Sequence, residues 1–139
     1  MAASPRCHSL ALGGLLALAC ALAQAQSVTV IAHPSVTLPA DEVRELFVGD
    51  RQFVGSVKLV PIDNLAAQRG FLASVLHLEP VKYATLWAKK AFRDGLTAPA
   101  AKASDAEVLA FVQSTPGAIG YVTSGNLPLR DVRVLGDKF

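Results

Sequence analysis

Residues 115–122 read TPGAIGYV, a turn of small residues that runs straight into a β-strand. Gly117 and Gly120 place no side chain over the backbone, so this segment is predicted to approach a neighbouring helix or a ligand closely. Pro116 and Gly117 also break the amphipathic helix that precedes them. A helix, a glycine turn and a buried strand in succession are typical of α/β proteins.

The chain on either side of this segment alternates in the same way. Residues 28–32 are a β-branched run that predicts a buried strand, and residues 39–49 predict a helix with Val43, Leu46 and Phe47 on one face. Residues 57–62 predict a second strand. The next helix is predicted to present Leu65, Leu72, Val75 and Leu76 to the core.

Pro80 suits the first turn of a third helix. Its predicted inward side chains are Val81, Ala84, Trp87, Ala88 and Ala91. We expect Phe92, Phe47 and Phe111 to pack in the core with Trp87, because all four lie at helical core spacing.

The C-terminal part of the chain completes the alternation. Residues 94–103 predict a loop, and Ser104 with Glu107 forms a capping box that begins a fourth helix. Residues 119–122 and 132–135 predict two closing strands. Together these elements predict an α/β fold with a mixed sheet flanked by helices.

The N-terminal residues 1–25 predict a cleavable secretory signal. Arg6 precedes an apolar run of about 14 residues, which ends in the small-residue pattern Ala23-Gln24-Ala25. This run is shorter than the roughly 20 residues of a membrane-spanning helix. We therefore expect cleavage between Ala23 and Ala25 and a periplasmic domain over residues 26–139 that is not integral to the membrane. In an alternative interpretation, Cys20 carries a lipid anchor.

Charge and cysteine content exclude several classes of protein. The formal net charge is +2 and falls to +1 without Arg6, with no basic stripe for a nucleic acid. Cys7 and Cys20 both lie in the predicted signal, which leaves no cysteine for disulfides or thiolate catalysis. His33 and His77 lack metal-ligand spacing, and no nucleotide or nucleophile motif is present. We expect neither an enzyme nor a cofactor.

Two segments follow predicted strands, where ligands of open α/β sheets bind. They are residues 33–35 and residues 63–65. The residues predicted to donate to a small oxyanion are Ser35, Asn64, Leu65 and Ala66 (both through their amides), and Arg69. The sequence equally allows Asn64 as a helix cap, Arg69 as a solvated charge and Ser35 as a local turn residue.

The TPGAIGYV segment resembles the "P-G-A-I-G-Y-V" segment of the phosphate-binding proteins of ABC importers. Residues 38–49 resemble that family's "L-S-x-x-E-L-x-x-I-F-x-G", and residues 71–92 resemble its later "F-x-x-x-V-L … W … F". The resemblance implies one lobe of a type 2 periplasmic binding protein, whose full-length members close two lobes on phosphate. The family's anion loop would fall at residues 61–67, which here read PIDNLAA and lack its hydroxyls and glycine.

Two functions are open on this basis. The first is non-covalent recognition of an oxyanion such as phosphate, in partnership with an ABC transporter permease and with a homodimer or another protein covering the site. The second is a single-lobe interaction module that has lost its ligand and docks on a periplasmic sensor or transporter domain.

Overall fold

The structure, a computed structural model, describes residues 27–137 and 139. The predicted signal, its cleavage site and the Cys20 anchor lie outside these residues and stay predictions. Within the described part, no helix combines the length and the apolar character needed to cross a membrane.

The strands form a five-stranded sheet and a small hairpin. In chain order they are β1 (Val28–Ala32), β2 (Phe53–Val54), β3 (Val57–Lys58), β4 (Val60–Asn64), β5 (Ala100–Lys102), β6 (Ala118–Thr123) and β7 (Arg133–Gly136). The sheet order is β5-β4-β6-β1-β7, and β2 pairs with β3.

The helices cover both faces of the sheet. They are α1 (Val43–Phe47), preceded by a 3₁₀ turn (Ala40–Glu42); α2 (Gln68–Phe71), continued by a π-helical turn (Leu72–Leu76); α3 (Pro80–Asp94); and α4 (Asp105–Ser114). The predicted α/β fold with a mixed sheet flanked by helices is confirmed.

Strand direction decides which loops meet. Strands β4 and β5 run parallel, as do β4 and β6, whereas β1 is antiparallel to both β6 and β7. The residue pair Ala32 and Ile119 therefore lies at one end of the sheet, and the pair Val28 and Thr123 lies at the other. The segments that follow β1 and β4 consequently lie at opposite ends.

An aromatic cluster anchors the larger core, on the face covered by α1, α2 and α3. The rings of Phe71 and Tyr121 stack with centroids 3.8 Å apart, and Phe47 meets Phe71 edge-on at 4.7 Å. Such pairs contribute about 0.5–1.5 kcal/mol beyond the burial of their area. On the other face, α4 packs Val108 and Val112 against Ile31 and Ile62.

The close approach predicted for the two glycines is made to neighbouring elements of the protein. A β-carbon on Gly120 would lie 2.7 Å from Cγ1 of Val108 in α4. Gly117 has φ +82° and lies against the backbone carbonyl of Lys58 in β3. Both glycines therefore allow tight packing, of α4 on β6 and of β3 on the turn before β6.

The inward face predicted for α3 is confirmed at Trp87 and is wrong at the other predicted positions, because Val81, Ala84, Ala88 and Ala91 are exposed. Tyr83 and Trp87 are buried, whereas Val81 is 76% exposed and Phe92 is 96% exposed. The reason is that α3 carries apolar residues on two faces. The face that packs on the core is the one whose aromatic side chains, Tyr83 and Trp87, find hydrogen-bond partners for their polar atoms. Trp87 donates its indole N–H to the carbonyl of Phe47 at 3.1 Å.

Two other expectations need correction. The predicted loop over residues 94–103 contains strand β5, whose Ala-Ala-Lys sequence has little intrinsic strand preference and is held by pairing with β4. Leu65 is exposed and precedes α2, because the chain turns before the helix begins at Gln68. The helix cap at Ser104 is confirmed, since Ser104 Oγ accepts the Glu107 amide at 3.3 Å. The Glu107 carboxylate accepts the amide of Ala103, where a complete capping box would use the amide of Ser104.

Candidate functional site

Asn64, the last residue of β4, is fully buried and has no free side-chain donor. Its Nδ2 donates to Asp105 Oδ1 at 2.6 Å and to the Tyr121 carbonyl at 3.0 Å. Its Oδ1 accepts the backbone amide of Ala66 at 3.0 Å. The side chain thus joins the end of β4 to the start of α4 and to β6.

The two backbone amides predicted to bind an anion are also engaged within the protein. The Leu65 amide donates to the carbonyl of Lys102 at 2.9 Å, which extends the β4–β5 pairing by one residue. The Ala66 amide donates to Asn64, as described above. Each amide has a single hydrogen, so an anion would have to displace one of these acceptors.

Asp105 accepts hydrogen bonds from the end of β4 and from the segment around the end of β6. Its buried carboxylate accepts hydrogen bonds from Asn64, from the Thr123 amide at 3.2 Å and from Asn126 Nδ2 at 2.7 Å. Burial alone would raise the pKa of Asp105, but these hydrogen bonds outweigh it and hold the pKa below the usual range. A carboxylate of the protein therefore lies ionised beside the donors predicted for a ligand.

Asp63 points to the opposite face of the sheet from Asn64, as alternation along a strand requires. It accepts the hydroxyl of Tyr121 at 2.9 Å and that of Tyr83 at 3.0 Å. Burial raises the pKa of Asp63 despite the two hydroxyl donors. Burial and the Asp63 charge also raise the pKa of both tyrosines, so they stay protonated donors.

Ser35 lies at the far end of the sheet from Asn64. Its Oγ accepts the Gly117 amide at 3.1 Å and is 2.8 Å from His33 Nδ1. About six residues of β6 separate this end from the Asp105 end, a distance of about 20 Å. Ser35 and Asn64 therefore lie too far apart to contact one small ligand, and anion binding by Ser35 stays a prediction.

Arg69 is the member of the predicted set whose side chain is exposed and, among residues 27–137, has no hydrogen-bond or ion-pair partner. It lines an open cavity of about 670 Å³ between α2 and the start of α3, together with His77, Glu79 and Lys82. His77 is an exposed residue in the left-handed conformation (φ 53°) that ends the π-helical turn.

The structure therefore groups Asn64, Leu65 and Ala66 and separates Ser35 from them. Binding of an anion by these residues stays a prediction. The partners of Asp63 and Asn64 were not predicted from the sequence; they are Asp105, Tyr83 and Tyr121. Asp105 stood out only as an acid after a helix cap, a position where acids are common for dipole reasons alone. Among the described residues, no group of three His, Cys, Asp or Glu side chains forms a metal site.

No protein-family model matches the sequence, and no curated protein matches it either. Solved structures do match its fold. An ABC-type phosphate transport receptor from Vibrio cholerae superposes with a TM-score of 0.57 at 13% identity, over 79% of this chain and 45% of that one. A phosphate ABC transporter substrate-binding protein from Clostridium perfringens, solved with bound phosphate, gives 0.56 at 14%, over 79% and 44%.

PstS from Borrelia burgdorferi gives a TM-score of 0.53 at 18% identity, over 72% of this chain and 41% of that one. The chain thus spans less than half the length of each of these proteins. The resemblance noted in residues 115–122 is confirmed at the level of the fold. The described residues have the fold of one lobe of a phosphate-transport substrate-binding protein.

Proposed function

We propose that this chain is a single-lobe interaction module, with the fold of one lobe of a solute-binding protein, which docks on another protein and does not enclose a free oxyanion. The observation that carries the proposal is the closed loop after β4. Asn64 donates to the Asp105 carboxylate, the Leu65 amide donates to the Lys102 carbonyl, and the Ala66 amide donates to Asn64 Oδ1.

Electrostatic repulsion also supports the proposal that the loop after β4 does not bind a free oxyanion. An oxyanion that took the hydrogen bonds of Asn64 would lie within a few ångströms of the ionised Asp105 carboxylate. Two like charges 4 Å apart repel by about 4 kcal/mol near a protein surface. That repulsion is comparable to the gain from two or three charge-assisted hydrogen bonds, so the loop disfavours a fully ionised ligand.

The proposal includes a compartment and a class of partner. The signal predicted in residues 1–25 and the fold likeness to ABC-transport receptors support a periplasmic location. A sensor domain or a transporter domain in that compartment is the partner we propose. The fold neighbours are substrate-binding receptors, which supports a binding role without catalysis.

Titration calorimetry with phosphate and sulfate tests the closed loop. We expect the purified protein to give no heat beyond dilution, and a saturable heat would contradict the proposal. Asp105→Asn is the matched variant, since it removes the charge and keeps the shape. If repulsion is what excludes anions, this variant gains weak binding.

Site-specific photo-crosslinking in cells should recover the same partner with and without phosphate, and failure to recover one would also contradict the proposal.

A second candidate is recognition of a small oxyanion such as phosphate. The exposed guanidinium of Arg69, in a cavity with His77 and Lys82, favours it. In this alternative Arg69 would act with Asn64 and the amides of Leu65 and Ala66 after the loop has opened, and Ser35 would need a second site. A homodimer or an ABC transporter permease would cover the ligand.

A further inference from the structure

Two adjoining cavities form a groove along helix α3, which we call the α3 groove. They share Leu78 and Lys82. The first has a volume of about 670 Å³ and is lined by Arg69, Ala73, His77, Leu78, Glu79, Pro80 and Lys82. The second has a volume of about 440 Å³ and is lined by Leu78, Lys82, Thr85, Leu86, Lys89, Lys90 and Arg93.

The lining of the groove contains five Lys or Arg side chains and one acidic side chain, Glu79. Lys90 pairs with Asp50, and Arg93 pairs with its neighbour Asp94. Within the described part of the chain, Arg69, Lys82 and Lys89 form no ion pair. The groove therefore carries positive charge that the described residues do not neutralise.

The groove is also apolar along its floor and beside its rim. Leu78 and Leu86 are half-buried and line the second cavity. Val81 and Phe92 project from the adjacent face of α3, 11 residues apart at helical spacing, and are largely exposed. Exposed aromatic side chains beside a cleft are typical of interaction surfaces.

We propose that the α3 groove docks an acidic protein segment, with a carboxylate between Arg69 and Lys82 and an apolar side chain over Leu78 and Leu86. This inference rests on the proposed docking function and names the chemistry of the partner. The row from Lys82 to Arg93 is about 16 Å long at 1.5 Å per residue. That length fits about three turns of a helix, or about five residues of an extended segment.

The shape of the groove favours a peptide over a membrane or an inorganic anion. A bilayer surface is flat and attracts polybasic segments at about 1 kcal/mol per cation, and the groove offers few unpaired cations in a concave site. An inorganic anion would leave the apolar second cavity and Phe92 without a role. An acidic segment with an apolar anchor uses both the charge and the floor.

A random peptide library displayed on phage tests the proposal. The library is selected on the purified protein and counter-selected on the double variant Lys82→Glu, Lys89→Glu, whose fold is checked by circular dichroism. We expect enriched peptides that carry Asp or Glu close to Leu or Phe. Their affinity, measured by fluorescence anisotropy, should fall at least about tenfold in the double variant and weaken with salt.

The matched control is Lys58→Glu, Arg130→Glu, which changes the charge equally at exposed sites outside the groove. Its peptide affinity should equal that of the wild type. No enrichment, enrichment without acidic residues, or equal loss in the control would overturn the proposal. Binding to phosphatidylglycerol vesicles through Lys82 and Lys89, with no peptide enriched, would overturn it in favour of a membrane. A separate result would show that the proposed function fails: saturable phosphate binding that is the same in the wild type and in the groove variants.

Discussion

Asn64 Nδ2 donates to Asp105 Oδ1 at 2.6 Å, and this buried contact joins the end of β4 to the first residue of α4. The resemblance noted in the sequence implies that the loop after β4 would carry donors for an anion. In this structure those donors are bonded to acceptors of the protein, of which Asp105 lies in α4. The Asn64–Asp105 bond fixes the end of β4 to the start of α4. The side-chain amide of Asn64 and the backbone amides of Leu65 and Ala66 are therefore not free to bind a ligand.

Replacement of Asn64 by Ala should destabilise the domain by about 2–4 kcal/mol. The change leaves the Asp105 carboxylate and the Tyr121 carbonyl short of a donor in a buried place. Urea unfolding measures the loss. Asn126→Ala is the control, because it removes one donor from Asp105 in a more exposed position and should cost about 1 kcal/mol. An equal loss of unfolding free energy in the two variants would show that the buried Asn64 hydrogen bonds stabilise the domain no more than the exposed Asn126 one.

The Asp63 carboxylate should make stability depend on pH with a definite sign. Burial raises its folded pKa above the ordinary 3.8, so the folded state binds the proton more tightly than the unfolded chain. The stabilisation is complete below that ordinary value and is lost as pH rises through the folded pKa. Asp63→Asn does not titrate, so its stability relative to the wild type should increase between about pH 3 and 7. Thermal unfolding across this range measures the difference, and a constant difference would refute the assignment.

Gly120 should not tolerate a side chain. Gly120→Ala would place a β-carbon against Val108 in a packed core and should cost about 1–3 kcal/mol. Gly125→Ala is the comparison, since Gly125 has φ +74° and open space around it. That variant tests backbone strain alone, at about 1 kcal/mol. Denaturant unfolding of both proteins separates packing from strain, and a neutral Gly120→Ala would contradict the close approach of α4 to β6.

Phe71 and Phe92 should differ sharply when each is replaced by Ala. Phe71 is fully buried and stacks on Tyr121, so its loss should cost about 3–5 kcal/mol. Phe92 is almost fully exposed, and its replacement should change the free energy of unfolding by less than about 0.5 kcal/mol. Chemical denaturation of the two variants checks this. A large loss in Phe92→Ala would mean that this side chain packs in the core, as the sequence pattern predicted.

Local patterns predicted most of the fold because they act over a few residues. The β-branched run at 28–32, the helix cap at Ser104 and the glycine turn before β6 each produced the expected element. Strand direction was not accessible in this way, since it depends on pairing between distant segments. Ser35 and Asn64 each follow a predicted strand, and the antiparallel pairing of β1 with β6 places them at opposite ends of the sheet.

Side-chain partners were harder to predict than elements. Helix α3 has two apolar faces, and its sequence alone does not show which of them is buried. Tyr83 and Trp87 are buried because Asp63 and the Phe47 carbonyl accept their hydrogen bonds. Asp105 illustrates the same limit, because an acid after a helix cap is common whether or not it accepts distant donors. Its role follows from three hydrogen bonds contributed by separate segments of the chain.

The closure of the loop after β4 by side-chain and backbone acceptors of the protein is the finding on which the docking function rests. Its most direct test is a titration of the purified, ¹⁵N-labelled protein with inorganic phosphate, followed at the amides of Leu65 and Ala66. We expect both amide resonances to stay unchanged, because each hydrogen is held by an acceptor of the protein. A saturable shift of these two resonances would contradict the account and establish the loop as an anion site.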